Sequence, residues 1–146
     1  MSDPKEPIAI LIAEDNPGDR TLIENSFKET GIKSRLFFAE DGQELINYMN
    51  EAIVYSDLNK SSCLVLMDLK MPRLDGARTL KIIKTDQRFK QIPVVVFSSS
   101  SLDKDVNDSY QLGANSYFTK PSDYKGFLDF AKLLKKYWLE KAILPA

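Results

Sequence analysis

Five short apolar runs are spaced along the chain, and each is followed by a segment of helical periodicity. Ile8 to Ala13 reads IAILIA, a continuous apolar stretch of the kind that forms a strand buried on both faces. It ends in Glu14 and Asp15. The following NPGDRTLIENSFKETG offers Asn16 as a cap, Pro17 for a first turn, and Leu22, Ile23, Ser26 and Phe27 at helical spacing before Gly31. SRLFFA then precedes DGQELINYMN, and CLVLMD precedes a turn and GARTLKIIK, whose Ala77, Leu80 and Ile83 form a stripe. IPVVVF runs into SSSS and a helix from about Asp103 to Leu112 that Gly113 ends. NSYFTK leads through Pro121 into a last helix with Phe127, Phe130, Leu134 and Tyr137 on one face. EAIVYSDLNKSS, between the second helix and the third strand, is longer than a tight connection needs.

This alternation predicts a parallel sheet with helices on both faces, because parallel strands need crossovers and right-handed crossovers cover the sheet. The expected fold is therefore doubly wound α/β. Such folds place their ligand site beyond the carboxyl ends of the strands, where strand order reverses. Glu14 and Asp15 end the first strand, Asp68 the third, Ser98 the fourth, and Thr119 and Lys120 the fifth. Carboxylates, a hydroxyl and an ammonium would thus meet at one edge.

Composition narrows the setting. A chain of 146 residues, 43% hydrophobic and 28% charged, suits one domain with a sizeable core. A net charge of -1 gives no general attraction to nucleic acid or to an anionic membrane, so partners must be chosen by local patches. Cys63 alone cannot form an internal disulfide and reads as a buried structural thiol. MSDPKEP lacks a signal-peptide layout, and no apolar run approaches the roughly 20 residues of a membrane helix. A soluble, cytoplasmic protein is expected.

Carboxylates gathered at a dry strand edge repel each other and take up protons unless a cation neutralises them. Mg²⁺ suits such a site: it takes oxygen ligands and leaves positions for water, a backbone carbonyl or a substrate phosphate. With a cation present, Asp68 can attack phosphorus while Lys120 and Ser98 bind the phosphoryl oxygens. The product is an aspartyl phosphate.

The constellation resembles the receiver domains of two-component response regulators, of the stand-alone CheY type. The matching segments are IAEDN, LMDLKMPRLDG, VVVFSSSS and YFTKP, in order over about the whole chain. The resemblance implies a flavodoxin-like five-stranded parallel sheet of order 2-1-3-4-5 with five helices, as one receiver domain over 1–146 with 137–146 extending the last helix. It also implies that Glu14, Asp15, Asp68 and the backbone carbonyl of Lys70 hold Mg²⁺, with Mn²⁺ as a substitute. Asp68 becomes the phosphoacceptor, Lys120 the phosphate partner, Ser98 a switch and Tyr117 an aromatic that changes rotamer with it. The Lys120–Pro121 bond is often cis in this family. Two departures stand out: Glu14 replaces the commoner Asp, and Ser98 the commoner Thr, which keeps the hydroxyl and loses a methyl. Lys70 and Ser100 occupy positions that flank the path of the attacking water.

The tail KKYWLEKAILP resembles that of the response regulators serving cyanobacterial phytochromes, which implies a homodimer and a place in light signalling. Tyr137, Trp138, Leu139, Ile143 and Leu144 exceed what the last turns of a helix easily hide.

Each residue also has a plainer role. Glu14 and Asp15 suit a helix N-terminus, Asp68 an Asp-initiated turn, Lys120 the surface, Ser98 a serine-rich loop, Tyr117 a core, and Lys132, Lys135 and Lys136 a solvated face. It is their conjunction that points to chemistry. A nucleotide binder of the same fold would want phosphate donors where EDNPGD supplies negative charge. A phosphatase or mutase would want an acid two residues after the nucleophile, where Lys70 stands. A scaffold that binds partners without phosphorylation remains the alternative. With no histidine in the chain, the phosphoryl group must come from another protein, which the resemblance implies is a sensor histidine kinase or a phosphotransfer protein. The expected character is a phosphoacceptor signalling protein with self-catalysed transfer and slow autodephosphorylation, not an enzyme with its own substrate. Its output surface is the fourth helix, fifth strand and fifth helix, about Asp103 to Leu139, acting through protein contacts and not on nucleic acid or membrane.

Overall fold

The computed structural model describes residues 8–54 and 63–145, excluding the side chains of 52–54. The long connection noted above falls largely outside the described residues, as does MSDPKEP. Five strands, β1 (Ala9–Ala13), β2 (Arg35–Ala39), β3 (Cys63–Met67), β4 (Val94–Ser98) and β5 (Ser116–Thr119), form one parallel sheet of order β2-β1-β3-β4-β5. The helices are α1 (Pro17–Glu29), α2 (Gly42–Val54), α3 (Gly76–Thr85), α4 (Asp103–Gln111) and α5 (Tyr124–Leu134), which runs into a π-helical segment, Lys135–Lys141.

Strand alternation divides the core between the two faces of the sheet. Leu11, Ala13, Val65 and Met67 meet Leu45 and Met49 of α2 and Leu80 and Ile83 of α3 on one face. Ile10, Ile12, Leu64 and Leu66 meet Ile23 and Phe27 of α1 and Phe127, Phe130 and Leu134 of α5 on the other. There Phe97 stacks on Phe130 at 4.2 Å between centroids and meets Phe127 edge-on at 5.6 Å. The inner strands β1, β3 and β4 are buried throughout, as their continuous apolar runs require, whereas the edges β2 and β5 are partly exposed. Cys63 is buried, and burial pushes its thiol up to about 12, which fits a structural thiol.

Local signals account for the helix starts. Asn16 Oδ1 accepts from Asp19 N at 3.0 Å, and Pro17 opens α1. Asp41, Asp75 and Asp123 accept from Glu44, Arg78 and Gly126 N at 2.8, 2.9 and 2.9 Å and start α2, α3 and α5. Gly31, at φ 82°, turns the chain out of α1 through the left-handed region.

Three expectations need correcting. Ala77 is exposed, and the buried side of α3 is Gly76, Thr79, Leu80 and Ile83. Tyr137 is 60% exposed, off the α5 stripe. The π turn advances each residue by less than the roughly 100° of an α-helix, so Trp138 and Leu139 swing onto the core instead. No described peptide bond is cis, Lys120–Pro121 included.

Candidate functional site

The carboxyl ends of the strands fix the backbone of the acidic and basic residues by carrying ladder hydrogen bonds one residue past the sheet. Glu14 N donates to Ala39 O at 2.9 Å, Asp68 N to Ala13 O at 3.0 Å, and Lys120 N to Ser98 O at 2.8 Å. Side chains that follow these strands therefore emerge together at one edge.

Lys120 is the centre of the group. Its Nζ lies 2.6 Å from Glu14 Oε1, 2.8 Å from Asp68 Oδ2 and 2.9 Å from Asp19 Oδ2. Three acceptors match the three hydrogens of an ammonium. Exposure of the side chains is 9% for Lys120, 2% for Glu14 and 7% for Asp68, so these charges interact with little water between them. Burial works against the Lys120 ammonium, but its bonds to Asp68, Glu14 and Asp19 outweigh that and hold it above the usual lysine range. Burial likewise pushes the Glu14 carboxyl up to about 7, helped by the charge of Asp68 and opposed by Lys120. The edge has more acid than base, since Glu14, Asp19 and Asp68 share the one ammonium of Lys120.

Glu14, Asp15 and Asp68 each offer a carboxylate oxygen, and the three oxygens lie within 4.8 Å of one another. Such a set of oxygens, short of positive charge and partly open through the exposed Asp15, fits a hard divalent cation. Glu14 is also tied back through Oε2, which accepts from Asn16 N at 3.2 Å.

The loop after β3 is held on both sides. Asp68 Oδ1 accepts from Leu69 N at 2.7 Å and Lys70 N at 3.4 Å, the Asx turn that its sequence context suggests. Lys70 is exposed beside it. Gly76 N donates to Leu69 O at 2.8 Å, and a Cβ at Gly76 would come within 2.4 Å of Asp68 O. On the other side Arg73, at φ 61°, donates from Nε to Asp41 Oδ2 at 2.6 Å.

Ser98 is fully buried at the end of β4. Its Oγ accepts from Ser100 N at 3.3 Å, Ser100 Oγ donates to Asp105 Oδ2 at 2.5 Å, and the hydroxyl of the half-buried Tyr117 donates to Ser100 O at 2.7 Å. Ser98 and Tyr117 thus meet through the loop between them. Asp19 is the site residue that sequence reasoning missed. Within EDNPGD it reads as an ordinary first-turn acid, and its partner lies 101 positions away.

The family model of the response regulator receiver domain matches residues 10–132. Response regulator Rcp1 of Synechocystis sp. is 33% identical over 147 residues, spanning 100% of this chain and 99% of Rcp1. The crystal structure of the phosphorylated cyanobacterial phytochrome response regulator RcpA is similar, with a TM-score of 0.86 and 32% identity, covering 97% of this chain and 100% of that one. The Mn²⁺-bound form of Rcp1 has a TM-score of 0.77 at 33% identity, covering 96% and 100%.

Proposed function

This chain belongs to the response regulator receiver family, and from that premise we propose that it accepts a phosphoryl group on Asp68 and signals through a changed protein surface. The observation that carries the reading is the Lys120 ammonium, 2.8 Å from a buried Asp68 carboxylate and beside two further acids. In the transfer, a carboxylate oxygen of Asp68 forms a bond to phosphorus as the bond from phosphorus to the donor's imidazole nitrogen breaks, the electron pair leaving with the imidazole. Lys120 exchanges its contact with Asp68 Oδ2 for one with a phosphoryl oxygen and offsets the charge that arrives there. Leu69 N keeps the Asp68 side chain aligned through Oδ1.

Glu14, Asp15, Asp68 and the carbonyl of Lys70 would hold Mg²⁺, or Mn²⁺ in its place, and the bound cation would neutralise phosphoryl oxygens. Ser98 would close on the phosphoryl group and Tyr117 would turn inward, reshaping α4, β5 and α5. The donor is a histidine kinase or phosphotransfer protein in the cytoplasm. Similarity to the cyanobacterial phytochrome response regulator RcpA supports a phytochrome as the light-sensing partner, and the resemblance of the C-terminal tail implies a homodimer as the assembly. Tyr137 and Ile143, 60% and 93% exposed, are the apolar side chains that a second copy would cover.

Incubation with Mg²⁺ and a small acyl phosphate, followed by mass spectrometry, tests the reading. The expected product carries one phosphate on Asp68, and Asp68→Asn carries none while remaining folded. Equal labelling of that variant overturns the assignment. A phosphorylation-independent scaffold would show no labelling of either.

A further inference from the structure

Among the carboxylates around Lys120, Asp19 stands apart. It comes from the first turn of α1, not from a strand end, and its oxygens are not among those that converge with Glu14, Asp15 and Asp68. Its side chain is 26% exposed, against 2% for Glu14, yet its Oδ2 lies 2.9 Å from Nζ. Its backbone is fixed by the cap, since Asp19 N donates to Asn16 Oδ1 at 3.0 Å. A cation held by Glu14, Asp15 and Asp68, and a phosphoryl group in place of the free charge of Asp68, would draw the other two partners of Lys120 elsewhere, and Asp19 would be the partner that stays.

We propose that Asp19 is a positioning residue for Lys120: it grips the ammonium from the α1 side, so that the remaining N–H groups face the phosphoryl group on Asp68. This role rests on the phosphoacceptor reading above. A free lysine side chain samples many rotamers, and a charged anchor at its tip restricts that freedom before the donor arrives. A first-turn acid that merely favours the α1 dipole would change stability and leave the transfer step alone.

The test compares Asp19→Asn with the wild-type chain at saturating Mg²⁺. The maximal labelling rate and the half-saturating concentration of a small acyl phosphate are measured alongside Mn²⁺ affinity by calorimetry and the thermal midpoint. Loss of one charged hydrogen bond predicts a maximal rate about tenfold lower. Mn²⁺ affinity should be essentially unchanged, and Asp19→Glu should recover most of the rate. A rate equal to wild type overturns the role, as does a deficit that follows weaker Mn²⁺ binding, which would make Asp19 a metal ligand. A fall in thermal midpoint with an unaltered rate also overturns it. Should the Asn variant not fold, Asp19→Ser, which keeps an acceptor in the first turn, is held to the same outcomes. An unlabelled wild-type chain is a different failure and takes down the phosphoacceptor reading itself.

Discussion

Asp41 and Arg73 join two loops 32 positions apart in sequence: Asp41 Oδ2 accepts from Arg73 Nε at 2.6 Å, while Asp41 Oδ1 caps α2 through Glu44 N at 2.8 Å. Burial works against its charge, but the Glu44 N–H and the Arg73 guanidinium together hold the Asp41 carboxyl below the usual aspartate range. A depressed folded pKa gives stability that is present above the unfolded value, near 3.9, and is lost as pH falls through the folded one. Asp41→Ala should therefore lower stability by about 1–2 kcal/mol at neutral pH, mostly through the lost cap, because Arg73 is largely in solvent. Urea unfolding from neutral pH into the acid range should show the gap between wild type and variant closing below about pH 4.

Gly76 sets a second constraint on the same loop. Replacing glycine by alanine within a helix ordinarily gains up to about 1 kcal/mol. Here the added Cβ would meet Asp68 O at 2.4 Å and Leu69 Cα at 2.6 Å, both backbone atoms. Overpacking of that kind costs about 1–3 kcal/mol and wins. Gly76→Ala should be less stable by thermal unfolding. It should also label more slowly on Asp68, because the strand end itself must move.

What the chain's pattern made legible, and what it hid, follows from range. The buried runs IAILIA, CLVLM and VVVF stand where they were expected because a strand covered on both faces leaves a continuous apolar record. Asp15 and Asp68 meet because each follows such a run, and Lys120 reaches Asp68 from the end of the partly exposed edge strand β5. Asp19 left no record, since nothing local distinguishes an acid gripped by a distant lysine from one exposed to solvent. The α3 stripe was misphased for a different reason. Gly76 and Thr79 are buried without being apolar, and the Thr79 hydroxyl is satisfied by Asp75 O at 2.7 Å. The π turn that sends Tyr137 outward is a choice of hydrogen-bond partner, to which hydrophobic periodicity is blind.

Tyr117 offers a cleaner measurement. Its hydroxyl bonds to Ser100 O at 2.7 Å, and its ring packs against the core of the α2–α3 face. Tyr117→Phe keeps the ring and removes the bond. Water can reach the half-buried Ser100, so the loss should be at the low end for a hydrogen bond, about 0.5–1 kcal/mol. Hydrogen exchange should show faster opening of residues 99–102, with no change in the strands. Unaltered exchange in that loop would mean that the tyrosine does not restrain it.

Removing the ammonium itself should expose the charge imbalance of the site. Lys120→Met fills similar volume but leaves Glu14 and Asp68, 2% and 7% exposed, without their counter-ion. Breaking a buried pair in this way costs about 3–5 kcal/mol, less whatever the carboxyls recover by taking up protons. Glu14, raised to about 7 even beside Lys120, should be raised further once that partner is gone. A carboxyl whose folded pKa exceeds its unfolded value loses stability as pH climbs from the unfolded value through the folded one. The variant should therefore be weakest in chelator above neutral pH and regain ground as the pH falls toward 5. Mg²⁺ in millimolar excess should also restore it, because a ligand of the folded state stabilises by mass action, about 2.7 kcal/mol at a hundred times its dissociation constant. Urea midpoints at two pH values, with chelator and with Mg²⁺, measure both effects. A deficit that ignores the cation would mean that Glu14, Asp15 and Asp68 do not form its site.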